Sequence, residues 1–104
     1  MKRLRILPEV HDDVLEAVRW YDNQELGVGD HFLNTFRDVF DSLQRNPLIY
    51  PMVHQEFRRV LLRPFPYALY FRLHEEEAVV VMVFHTARNP EFMLQRLQLR
   101  KMTV

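Results

Sequence analysis

The sequence predicts an α+β fold: a two-helix hairpin packed on a four-stranded antiparallel sheet, in the order β-α-α-β-β-β, with room for a short C-terminal helix. Three observations carry that expectation. Apolar residues recur at helical spacing twice in the first half, and the only two glycines, Gly27 and Gly29, lie between the two stretches. After residue 57 the apolar period changes to two. The run 78–84 is apolar throughout, far short of the ~20 residues that span a bilayer but right for a central strand covered on both faces. With 104 residues, 48% of them hydrophobic and 27% charged, the chain is read as one globular domain, 1–104.

The elements follow in order. Residues 2–7 alternate basic and apolar side chains, as an edge strand does. Pro8 suits the first position of a helix, where its missing N–H costs nothing. Glu9, Asp12 and Asp13 follow where the helix dipole favours acids. Val10, Val14, Ala17, Val18 and Tyr21 form one stripe, giving a helix over 8–23 with Trp20 on the stripe's border. The turn 26–29 leads to a second stripe, Phe32, Phe36, Val39, Phe40 and Leu43, in a helix over 30–45 with Asp30 as the expected N-cap. Asn46-Pro47 stops it, and 47–56 reads as loop. Strands are expected at 58–63, 67–73 and 78–85, with the acidic turn 74–77 between the last two. If each short connection reverses the chain, the first strand runs opposite to the last and the sheet is antiparallel throughout, with one face open. Asn89-Pro90 caps a last short helix carrying Met93, Leu94 and Leu97; with Leu99 these have little core left to reach.

Composition removes several kinds of chemistry. Without cysteine there is no disulfide and no thiolate nucleophile or ligand. The only serine, Ser42, falls inside a helix. The five histidines make no HxxxH or HExxH pair, so neither a metal nor a cofactor is expected. No secretory leader or membrane span is legible, and a cytoplasmic location is expected. The net charge is zero, but residues 1–52 carry 6 basic and 9 acidic side chains and residues 53–104 carry 8 and 5. Twelve of the 14 basic residues are arginines, which suit planar recognition of carboxylate or phosphate. Glu56, Arg58, Arg59, Arg63, Arg72, His85 and Arg88 fall on or beside neighbouring strands. They read either as a site, with His and Glu as acid and base and Arg on an anion, or as a solvated face paired with Glu75, Glu76, Glu77 and Glu91.

An ordered set of short segments resembles the RelE/ParE superfamily, the toxins of type II toxin–antitoxin modules. It runs from Ala17-Val18-Arg19-Trp20-Tyr21 through Leu26-Gly27-Val28-Gly29, Asn46-Pro47, Arg58-Arg59, Leu61-Leu62-Arg63 and Phe65-Pro66-Tyr67 to His85-Thr86-Ala87-Arg88-Asn89-Pro90. The resemblance implies growth arrest, a cognate antitoxin as partner, and one of two targets. ParE-like members inhibit DNA gyrase. RelE-like members cut mRNA on the ribosome without a metal, and for that activity the implied catalytic set is Glu56, Arg72 and His85. The stretches 58–72 and 84–90 are more similar to the ParE side. That leads to the expectation of a non-catalytic inhibitor binding its target through Arg58, Arg59, Arg63 and Arg88. A degenerate member that only binds its antitoxin is the third reading. The terminal apolar residues are expected to receive an antitoxin segment that also runs along the helical hairpin, or else to cover one end of the sheet or form a homodimer seam.

Overall fold

Alternating burial starts at the first described residues. The computed structural model describes residues 3–102, and its first strand, β1 (Arg3–Ile6), runs exposed, half-buried, exposed, half-buried, as an edge strand should. Lys2, included in the expected strand, lies outside the described residues. Pro8 opens helix α1 (Pro8–Gln24), which buries Val10, Val14 and Ala17. The second helix, α2 (Val28–Arg45), buries Phe32, Phe36 and Leu43, each worth about 1.5–3 kcal/mol of transfer free energy.

Asp30 is not the N-cap of α2. The cap is Gly27, whose φ of 97° is a left-handed conformation that glycine adopts without strain. The cap's side-chain function is supplied from the preceding helix. Asp22 Oδ1 accepts hydrogen bonds from the Gly27 N–H at 3.2 Å and the Gly29 N–H at 2.8 Å. This serves two amide donors that α2 itself cannot pair. A Cβ on Gly29 would sit 2.7 Å from both the Asp22 carboxylate and the Val18 carbonyl, so close approach of the helices requires glycine there.

A single 3-10 turn, Pro47–Ile49, then leads into four strands: β2 (Met52–His54), β3 (Phe57–Leu61), β4 (Tyr67–His74) and β5 (Glu77–His85). The sheet is five-stranded, in the order β1-β5-β4-β3-β2. It is mixed rather than antiparallel: β1 runs parallel to β5, with Arg3 opposite Glu77 and Ile6 opposite Val80. The correction comes from one short strand. β2 lies within the stretch expected to be loop, and it adds one reversal to the count. An antiparallel relation of first and last strand thereby becomes parallel. Nothing in a three-residue strand with two exposed side chains announces itself by alternation.

As expected, β5 is central and buried on both faces, with Ala78–Phe84 continuously inside. One face lies under α1 and α2. The other is not open. Helix α3 (Pro90–Lys101), capped by the Asn89 side chain accepting from the Glu91 N–H at 2.8 Å, lies over it and seats Leu97 in the core, with Met93 half-buried beside it. Of the expected leftover apolar residues only Leu94 and Leu99 stay exposed. Among the described residues no helix is long and apolar enough to cross a membrane.

The edge of β5 changes partner midway. The Leu7 N–H closes the β1 ladder on the Val80 carbonyl. At Val81 the register against β4 slips by one residue, a bulge just beyond the point where β1 ends. Beyond it no strand of the described residues pairs with this edge. Asp13 Oδ2 on α1 accepts the Val83 N–H at 3.0 Å, and Arg100 Nη1 on α3 donates to the Val81 carbonyl at 3.1 Å. The two side chains bind each other in a bidentate pair, 2.5 and 2.9 Å long, exposed only 7% and 11%.

Two substitutions at the helix junction test this account of the hairpin. Asp22→Ala should lower stability by about 1–2 kcal/mol in urea unfolding, the usual size of a lost N-cap. Gly29→Ala should cost about 1–3 kcal/mol, because backbone as well as side chain must move. Wild-type stability in either variant would show that the junction carries no such constraint.

Candidate functional site

The expected site residues fall into two places. Direct cross-strand partners share a face, so β4 sorts them. Tyr67 faces α1 and α2, meeting the rings of Tyr21 and Phe32 edge-on, and its partner across the ladder is His85. Arg72 lies five residues along β4, about 17 Å away at strand spacing, and its odd offset puts it on the opposite face. The fold therefore does not bring Arg72 and His85 together.

Arg72 is instead in a salt-bridged cluster at the far end. Its Nη1 sits 3.2 Å from Glu56 Oε1, and Lys101 Nζ approaches the same oxygen at 3.4 Å while donating to Gln55 Oε1 at 3.0 Å. Glu56 is held in the β2–β3 turn, where Gln55 takes a left-handed φ of 51°. A hydrogen bond from its own backbone N–H, then Lys101 and Arg72, hold the Glu56 carboxyl below the usual carboxylate range, against the opposing effect of burial. A carboxylate made more acidic and spent on two cations is poorly disposed to accept a proton. Lys101 was not legible as part of this cluster, since only the path of α3 brings it back to β2.

The remaining arginines divide the same way. Arg58 Nη1 donates to the Tyr50 carbonyl at 2.6 Å, tying β3 to the 3-10 turn. The turn is tied again by the Ser42 hydroxyl against the Tyr50 hydroxyl. Arg59 and Arg63 are exposed, Arg59 on the α3 face and Arg63 in the β3–β4 loop.

The second place is a cleft of about 340 Å³ along the open edge of β5, between α1 and α3. Its walls include Trp20, Glu16, Tyr67, His85, Arg88 and Arg96, with Asp13 at its base. His85 Nδ1 accepts the Ala87 N–H at 3.0 Å, which leaves Nε2 to carry the ring proton, and the ring meets Tyr67 edge-on at 4.9 Å. Burial raises the Tyr67 phenol above its ordinary value, so it stays a neutral hydrogen-bond donor near pH 7; Arg88 pulls the other way. Arg88 and Arg96 both lie on the Phe84 ring, with Cζ 4.8 and 5.3 Å from its centroid. Neither makes a salt bridge among the described residues. Arg96 did not stand out in the sequence, although a helix starting at Pro90 carries it. Trp20, read as a border residue, is 55% exposed and forms one wall.

Two comparisons bear on this arrangement. The family model for the ParE toxin of type II toxin–antitoxin systems, parDE, matches residues 4–90. Toxin ParE2 of Mycobacterium tuberculosis, from strain CDC 1551 / Oshkosh and from strain ATCC 25618 / H37Rv, is 30% identical over 90 residues, 86% of each chain. The family match ends where α3 begins.

The Glu56 cluster yields a titration with a defined sign. Its carboxylate signal should titrate below the ordinary carboxylate range and move upward in Lys101→Met. A lowered pKa stabilises the fold above the unfolded value, and that stabilisation is lost as pH falls through the folded one. The group is substantially exposed, so Lys101→Met should cost less than about 1 kcal/mol at pH 7. An unmoved titration would show that Lys101 does not act on Glu56.

Proposed function

The chain belongs to the ParE toxin family of type II toxin–antitoxin systems, and from that premise we propose that it arrests growth by binding its target without cutting it, through the cleft beside β5. A cognate antitoxin is its partner. One observation carries the reading: Arg88 and Arg96 stand over Phe84 at the rim of the cleft with no carboxylate partner among the described residues, while the acid–base set that RNA cleavage needs is divided between two faces. Unpaired guanidiniums beside an exposed tryptophan suit an anionic protein surface, and burying them against carboxylates gives both steering and specificity. DNA gyrase is the target we propose, with Arg59 and Arg63 outlying contacts. Arg58, spent on the Tyr50 carbonyl, acts through the shape of the 3-10 turn.

For the antitoxin we propose the apolar groove between α1 and α2, about 460 Å³, lined by Val10, Val14, Leu15, Leu33, Phe36 and Phe40. An amphipathic segment that orders on binding would bury its apolar face there. Of the surface expected from the sequence this keeps the helical hairpin and drops the α3 residues, because Leu97 and much of Met93 are already committed to the core.

The second reading, RNA cleavage, keeps one specific support: His85, Tyr67 and Arg88 share the cleft. Expression of the chain alone decides between the two. Growth should arrest with loss of DNA supercoiling before translation falls, and purified gyrase should be inhibited. Arg88→Glu and Arg96→Glu should each weaken inhibition at least about tenfold, and His85→Ala only partly. Early message cleavage, abolished by His85→Ala with the ~10²–10⁴ loss typical of a positioned acid or base, would establish the nuclease. No arrest by a folded chain would leave the regulatory reading.

Leu15→Asp, an exposed change in the groove, should weaken the complex with the co-expressed antitoxin at least about tenfold without lowering toxicity. Unchanged affinity would place the antitoxin elsewhere.

A further inference from the structure

Past Val80 the edge of β5 that faces away from β4 lies along the cleft between α1 and α3. Ladder geometry fixes which main-chain groups point into it. In an antiparallel pair the residues of a strand alternate between turning both main-chain groups to the partner and turning both away. The Val83 N–H goes to Asp13 and is therefore turned from β4. Its carbonyl is turned the same way, and so, two residues on, is the His85 N–H. The neighbours agree in phase. The His85 carbonyl accepts from the Arg88 N–H, whereas the Thr86 N–H returns to the Pro66 carbonyl just before β4. Asp13 and Arg100 serve the Val83 N–H and the Val81 carbonyl. Among the described residues no hydrogen bond reaches the Val83 carbonyl or the His85 N–H, although Val83 is only 3% exposed.

A carbonyl and an N–H two residues apart on one strand edge are the groups with which an added strand pairs. The walls determine what such a strand must carry, because its side chains alternate between the two faces of the sheet. On the α1 side lie Ala17, Trp20 and Tyr67, an apolar and aromatic wall on which Glu16 repels a further carboxylate. Phe84 is one residue from His85 and so on the other face, where the guanidiniums of Arg88 and Arg96 stand on its ring. The complement is an extended segment in which aromatic or branched apolar side chains alternate with Asp or Glu. The α1–α2 groove offers no such edge, since helices pair their main chain internally.

We propose that an extended acidic segment of gyrase adds to β5 as a short strand in line with β1, accepting from the His85 N–H and donating to the Val83 carbonyl, with its carboxylates on Arg88 and Arg96 and its apolar side chains against Trp20. The proposal rests on the target reading above and supplies the manner in which the target is held. Main-chain bonds give affinity for an extended segment, and the two unlike walls select its sequence and register.

Hydrogen exchange resolved to single amides, on the full chain alone and bound to purified DNA gyrase, reads the contact directly. The His85 amide should exchange rapidly in the free chain and at least about tenfold more slowly in the complex. The Val83 amide, held by Asp13, should be protected in both. His85→Pro deletes the donor at an edge position where a strand tolerates proline, and His85→Ala keeps it. His85→Pro should therefore weaken inhibition at least about fivefold beyond His85→Ala, the effect of leaving one partner group unpaired. An unslowed His85 amide in a gyrase-bound chain overturns the added strand and leaves the target reading standing, as does a folded His85→Pro no weaker than His85→Ala. A wild-type chain that does not bind gyrase overturns both. If the thermal transition shows that His85→Pro does not fold, the exchange result alone decides. Protection of the His85 amide by the co-expressed antitoxin and not by gyrase assigns the edge to the antitoxin and overturns the proposal.

Discussion

The bidentate pair between Asp13 and Arg100 is the contact on which the arrangement depends. β5 is an interior strand, and its edge away from β4 has a partner strand only as far as Val80. Beyond that point its amide and carbonyl groups lie inside the protein, where unpaired backbone polar groups are costly. Asp13 takes the Val83 N–H and Arg100 the Val81 carbonyl, so two side chains continue the ladder that β1 leaves off. A buried ion pair is not stabilising by Coulomb attraction alone, because each ion loses its hydration. Here the compensation is hydrogen bonding: each charge is used both on its partner and on the strand. Removing either would strand a buried charge and a backbone group together.

The same pair joins three elements that the chain keeps far apart, since residues 13 and 100 are separated by 87 positions. Held by Arg100, α3 stays over the sheet with Leu97 inserted, and Arg96 is thereby placed on Phe84, the ring that Arg88 also covers. The cleft is a by-product of an edge that no strand covers, with α1 as one wall and α3 as the other. The family match ends at residue 90, so Arg96 and Arg100 both come from beyond the matched segment. The features that complete the cleft in this chain are thus the ones the family model does not cover.

Much of the fold was legible because it is written in local periodicity. The valine and phenylalanine stripes, Pro8, Asn89-Pro90 and the unbroken run before His85 each act within a few residues. What was not legible depends on long-range register. β2 carries no alternation, so its reversal went uncounted and β1 appeared antiparallel to β5. Asp30 stands where a cap belongs, but a carboxylate one helix earlier, Asp22, reaches the same amides. Asp13 reads as an acid near a helix start, with nothing local to indicate Arg100. The superfamily likeness was legible in dispersed short segments. The joint site of Glu56, Arg72 and His85 was not decidable, because the face a residue occupies follows from strand pairing and from the bulge at Val81.

Native-state hydrogen exchange in wild type and Arg100→Ala tests the central role of the pair most directly. In wild type the Val83 amide should be among the slowest to exchange, with the amides of α3 protected alongside it. In Arg100→Ala, Val83 and α3 should lose protection together while α1, α2 and the β4–β5 ladder retain theirs, which would mark α3 and the open edge as one unit held by this contact. If Val83 and α3 keep their wild-type protection in the variant, the pair does not hold them and the account is wrong.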